Sequence, residues 1–187
     1  MRWILASLLA IALVAGAMAE TRMALVISQS DYQSASLSRV GSADSEANSI
    51  ADSLSATGFE ITRVRNLHKR QLDAELDSFR KKLDRAGSDA IGFVYYTGHG
   101  LQNPETSESF LLGIDSEIEV PSDLVRYGVG LDIQRDMFAA TGAKAVFLVF
   151  DACRNVPGFS GYKAGVKGLS RVEAKPDMLI AYATGLD

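Results

Sequence analysis

Apolar residues along this chain recur with two periods, and the two periods alternate. Residues 23–28, MALVIS, form a short apolar run between polar residues, the pattern of a buried strand. Over 43–57 the period changes: Ala47, Ile50, Ala51 and Leu54 fall at i, i+3, i+4 and i+7, one face of a helix. Ser42 suits its N-cap, Asp44 and Glu46 its first turn, and Gly58 its end. Residues 59–64, FEITRV, alternate like a strand, and Leu72, Leu76, Phe79 and Leu83 then make one stripe of a helix over 70–86, stopped by Gly87. AIGFVYYT, 90–97, reads as a fully buried strand that runs straight into Gly98-His99-Gly100. Residues 101–130 read as loop around a short FLLGI run. A third helix over 132–141 is expected to turn Ile133, Met137 and Phe138 inward, up to Gly142. AVFLVF, 145–150, is another buried strand, and MLIAYAT, 178–184, a last one. Apolar strands alternating with amphipathic helices predict an α/β fold, an open, mostly parallel sheet with helices on both faces. Sites in such sheets form beyond the carboxyl ends of the strands. His99 and Cys153 both stand at such ends.

The first twenty residues break the pattern. In MRWILASLLAIALVAGAMAE the only charge before Glu20 is Arg2, and Ala17 and Ala19 sit in the A-x-A arrangement that an export peptidase accepts. Residues 1–19 are therefore expected to be a cleaved signal peptide and 20–187 an exported domain, periplasmic or secreted. The competing reading is an uncleaved anchor, since the stretch is just long enough to span a bilayer. No later segment is apolar and long enough to do so, so no membrane contact is expected after cleavage. Composition is ordinary for a globular domain, 47% hydrophobic and 22% charged. The net charge is −4, and loss of Arg2 makes it one unit more acidic, which argues against nucleic acid as a partner. Neither pattern nor charge bears on oligomeric state.

Export changes the meaning of Cys153, the single cysteine. One thiol cannot bridge internally, so it is a core residue, an intermolecular link or a reactive group. A thiol attacks as thiolate, which a nearby histidine promotes before protonating the leaving amine. Gly100, with no side chain to block approach, is suited to offer its amide beside that of Cys153 to a tetrahedral intermediate. His68, in the charged run NLHKR, reads as solvated surface. Cysteine phosphatase chemistry is excluded because Phe159 stands where a phosphate-binding arginine would be needed. There is no P-loop and no GxGxxG turn. No metal ligand spacing is present, and no cofactor is expected.

YYTGHG and DACRN, with His99 54 residues before Cys153, resemble the histidine and cysteine motifs of the caspase–metacaspase superfamily of cysteine peptidases, in its bacterial caspase-like form. RMALVIS with DY (22–32), GFEITRV, FLLGID and GLSRVEAKPDMLIAYAT (168–184) extend the resemblance over nearly all of 20–187. It implies a caspase-like fold and a cysteine endopeptidase acting on polypeptides. Cys153 would be the nucleophile, His99 the general base and acid, and the amides of Gly100 and Cys153 the oxyanion donors. Asp151 takes the place of the acid that in metacaspase-like members lines the pocket for the residue before the cut, which favours Arg or Lys there. A second pocket acid is expected on the first helix, at Glu46 or Asp44. Relatives continue past the YAT strand, so the resemblance implies a sheet shortened at its C-terminal edge. The alternative function is a weakly active or inactive caspase-like binding or regulatory module. Some metacaspases use calcium; Glu105, Glu108, Asp115, Glu117, Glu119 and Asp123 offer oxygen ligands, though an exposed acidic loop is the simpler reading. Self-cleavage between the last two strands is the remaining implication. From 154 to 176 there is no aspartate, but Lys163, Lys167 and Arg171 stand among four glycines.

Overall fold

The computed structural model describes residues 20–153 and 169–183. The expected signal segment 1–19 lies outside them, as do Lys163 and Lys167 and the glycines around them. The elements are β1 (Thr21–Ser28), α1 (Ala43–Ala56), β2 (Glu60–Arg65), α2 (Lys69–Ala86), β3 (Ala90–Gln102), β4 (Ser109–Leu112), α3 (Asp123–Tyr127), β5 (Gly128–Gly130), α4 (Leu131–Ala139), β6 (Ala145–Cys153) and β7 (Met178–Tyr182). Among the described residues seven strands make one sheet. Five are parallel, in the order β2-β1-β3-β6-β7. The hub is β3. Ala90 to His99 lie in the parallel ladders, while Gly100, Leu101 and Gln102 pair antiparallel with β4, which pairs with β5.

Strand residues alternate between two covered faces. On one, Ala47 and Ala51 of α1 pack on Val26 and Tyr95. On the other, Leu72, Leu76, Phe79 and Leu83 of α2 and Phe138 of α4 pack on Leu25, Ile27, Val94, Tyr96, Leu148 and Phe150. Each such leucine, 0–2% exposed, contributes about 1.5–3 kcal/mol relative to an exposed position. Close approach of α2 depends on Gly92, where a Cβ would lie 2.5 Å from Leu83 Cδ1. The helix ends at Gly87, whose φ of 77° is open to glycine at little cost. This is the expected mostly parallel α/β sheet with helices on both faces.

Three details differ from the sequence pattern. The 101–130 stretch is not simply loop: it holds the end of β3, β4, α3 and β5. These pieces are three to five residues long, too short for a period to show, and a second cluster of Leu101, Phe110, Leu112 and Leu124 holds them. Helix α4 begins at Leu131, so its buried face is Leu131, Gln134 and Phe138, and Ile133 is 64% exposed. Finally, β3 runs five residues and β6 three residues further than their apolar runs, so His99 lies inside its strand and Cys153 is the last residue of its own. Among the described residues no helix is long and apolar enough to cross a membrane.

Candidate active site

The last rung of the β3–β6 parallel ladder pairs His99 with Cys153. Residues 54 apart in sequence thus become immediate lateral neighbours, about 4.8 Å apart by strand spacing. Cys153 is placed here by its backbone in β6.

His99 is 2% exposed. Its Nε2 lies 2.7 Å from the carbonyl oxygen of Ser38 in the β1–α1 loop. A carbonyl only accepts, so Nε2 carries the proton and Nδ1 of the neutral ring keeps its lone pair. Nδ1 is buried with no hydrogen-bond partner among the described residues. Burial lowers the His99 pKa from its ordinary value, with the Ser38 carbonyl pulling the other way. The ring lies against Tyr32, centroids 4.5 Å apart. Gly98 makes this geometry accessible. Its φ is 154°, and a Cβ there would lie 2.7 Å from Tyr32 Oη and 2.9 Å from Tyr96 Oη.

Gly100 follows in the antiparallel part of β3. A Cβ at this position would stand 2.7 Å from Leu169 Cδ2 and 3.1 Å from Ala152 Cβ, so packing also demands the missing side chain.

Asp151 lies two residues before Cys153 on β6. It lines an open depression of about 320 Å³ with Ser45, Glu46, Ser49, Ile50 and Tyr95. Tyr95 Oη donates to Asp151 Oδ2 at 3.1 Å, and Thr97 Oγ1 donates to Glu46 Oε2 at 3.1 Å. Burial, and secondarily the Glu46 carboxylate, raise the Asp151 pKa, although the Tyr95 hydrogen bond opposes them. Burial and Asp151 likewise push the Tyr95 phenol up. Of the two acids expected on the first helix, Glu46 joins Asp151 and Asp44 does not. Positions two apart on a helix point about 200° apart. Asp44 faces β1 and β2, accepting from Ser28 Oγ at 2.6 Å and lying 3.9 Å from Arg65.

The other candidates lie elsewhere. His68 is half exposed before α2, its backbone N–H donating to Gln71 Oε1. In the acidic 105–123 stretch Asp115 accepts from the Lys69 amide, and Asp123 from the amides of Glu119 and Val120. Among the described residues no three His, Cys, Asp or Glu side chains converge as metal ligands. Tyr32, Ser38, Tyr95 and Thr97 were not singled out by sequence reasoning. Ser38 acts through a carbonyl every residue has and carries no signal; Tyr32 and Tyr95 lie in the DY and YYTGHG motifs and could have been found there.

Among the solved structures that share the fold are two at under 20% identity. A pro-caspase-1 (pro-sf-caspase-1) superposes with a TM-score of 0.60 at 19% identity, covering 89% of this chain and 62% of that one. A protein from Geobacter sulfurreducens gives a TM-score of 0.55 at 17% identity, covering 71% of this chain and 50% of that one. The chain thus spans less than two thirds of the length of either, and at such identities the likeness is one of fold. The family model of the caspase domain matches residues 21–187. The chain belongs to the caspase-domain peptidase family, C14.

Proposed function

We propose that this caspase-family domain is an exported cysteine endopeptidase with a Cys153–His99 dyad, cleaving polypeptides after Arg or Lys. The observation that carries the reading is the ladder rung shared by His99 and Cys153, with the His99 Nδ1 lone pair left available by the Nε2–Ser38 hydrogen bond. In this reading the Cys153 thiol gives its proton to Nδ1, and the thiolate attacks the scissile carbonyl carbon. The oxyanion is received by the amides of Cys153 and Gly100. The tetrahedral intermediate collapses as Nδ1–H protonates the leaving amine, and the C–N bond breaks. Water, giving a proton to Nδ1, then hydrolyses the thioester and restores the thiol. The Ser38 carbonyl keeps the tautomer correct and supports the imidazolium formed between the steps.

Asp151 and Glu46 supply the specificity. Two carboxylates in a partly buried depression favour a guanidinium or ammonium and disfavour an acidic side chain. Purified protein would be tested on fluorogenic peptides differing only in the residue before the cut. Arg and Lys peptides should be cleaved and the Asp peptide should not. Cys153→Ala and His99→Ala should each lower kcat/KM at least about 10³-fold, the scale of losing a nucleophile or its base. Equal cleavage by Cys153→Ala would leave the binding-module alternative standing.

A further inference from the structure

His99 is held by its backbone as well as by its ring. Its N–H donates to Tyr32 Oη at 2.7 Å, and its carbonyl oxygen accepts from Tyr96 Oη at 2.8 Å. The two phenol oxygens are themselves 3.3 Å apart, and Tyr96 Oη reaches the Leu112 backbone in β4. The Tyr32 ring then covers the imidazole, tilted 51° to it. Tyr32 and Ser38 belong to one loop, 29–42, so this single segment grips the histidine at its amide, its ring face and its Nε2–H.

The loop is itself tied down. Asn66 Oδ1, from a residue at φ 50°, accepts from the amides of Ser30 and Asp31. The Val40 amide donates to the Ser30 carbonyl, and the Gln33 amide to the Ile114 carbonyl. Gln29, fully buried, bridges to Leu67 through both ends of its amide. A side chain fixed by such a shell stays in one rotamer, and nucleophile–base geometry is sensitive to displacements of about 1 Å.

We propose that Tyr32 is a positioning residue for catalysis: its hydroxyl and ring set the direction of the His99 imidazole between the Ser38 carbonyl and the Cys153 position. The inference rests on the peptidase reading above. Tyr32→Phe keeps the ring and removes the acceptor for the His99 amide, so it separates positioning from packing. Titrating Cys153 with iodoacetamide counts intact sites, and kcat is expressed per titrated thiol. In Tyr32→Phe we expect kcat per thiol to fall about tenfold with KM within about twofold, and a further fall in Tyr32→Ala. A readout independent of turnover comes from imidazole 15N signals, to which only His68 and His99 contribute. The parent His99 should show the Nε2-protonated tautomer. In Tyr32→Phe its signals should move toward tautomer averaging while those of His68 stay fixed. An unchanged His99 spectrum, or a kcat per thiol within about twofold of the parent, would overturn the proposal. Cleavage by Cys153→Ala at the parent rate would instead refute the peptidase reading, leaving the spectra to decide what Tyr32 does to His99.

Discussion

His99 is a buried ionisable group and Asp151 a partly buried one, and burial moves them in opposite directions because it penalises whichever form is charged. For His99 the neutral form is favoured. In the proposed mechanism a base at His99 stays competent below the ordinary histidine value of 6.5, and the acid limb of kcat/KM should lie at lower pH than that. An acid limb above 6.5 would mean that another group controls it. Stability follows the same sign: the unfolded chain binds this proton more tightly, so stability falls as pH drops from about 6.5 through the lower folded pKa. For Asp151 the folded pKa is raised above the ordinary 3.8. Its contribution is fully present below 3.8 and is lost as pH rises through the folded value. At neutral pH the ionised carboxylate is thus a burden that the fold carries. Asp151→Asn keeps an acceptor for Tyr95 Oη and should raise the thermal midpoint at pH 7 while abolishing the Arg/Lys preference. Calorimetry and the peptide panel check the two halves, and a lowered midpoint with preference intact would contradict both.

At the scale of elements, the segment entering β7 is more firmly held than its glycine-dotted composition suggests. Leu169 packs against the main core and sits over Gly100. The Ser170 amide donates to Ser109 Oγ at 2.8 Å, and Ser170 Oγ donates to the Ser107 carbonyl at 2.9 Å. Val172 is 6% exposed, and its amide donates to Tyr182 Oη at 3.0 Å. Arg171 is exposed, but both its neighbours are anchored, and a scissile segment must extend into the cleaving site. If the loop is self-cleaved, mass spectrometry of new N-termini should find Ala164 or Gly168 and not Val172, with no cleavage in Cys153→Ala. A fragment starting at Val172 would show that this anchor opens readily. The elements hidden from the sequence are the short ones. β4, α3 and β5 have no internal period and exist because β3 continues past His99 to pair with them. Ile133 was misplaced because the helix starts at Leu131 and the start sets the face.

At the scale of the whole molecule, among the described residues, β1, β3 and β6 are flanked by strands on both sides, while β2 and β7 each have one neighbour in the parallel sheet. Leu179 of β7 is 48% exposed, whereas Ala24, Ile27 and Tyr96 are fully buried. Hydrogen exchange read by mass spectrometry should therefore protect β1, β3 and β6 longest and release β7 and β2 first. The proposed dyad pairs β3 with β6, so this ranking places both of its residues in strands expected to open last. Faster exchange in β3 than in β7 would overturn this ranking.

What the sequence determined by itself is what short-range pattern encodes: apolar runs for β1, β3, β6 and β7, the stripes of α1 and α2, and the TGHG and DAC motifs with their family resemblance. Each depends on residues within a few positions of one another. Only the tertiary structure decided which strands are neighbours, and with that the rung that sets His99 beside Cys153. The same step put Glu46 rather than Asp44 beside Asp151, because the roll of α1 on β1 and β3 chooses between acids two positions apart. It also brought Ser38 and Tyr32 onto His99 across more than sixty residues of chain. Those contacts use a backbone carbonyl, a backbone amide and a phenol, groups whose spacing in sequence carries no period. They become specific only when the sheet closes and buries the imidazole among them.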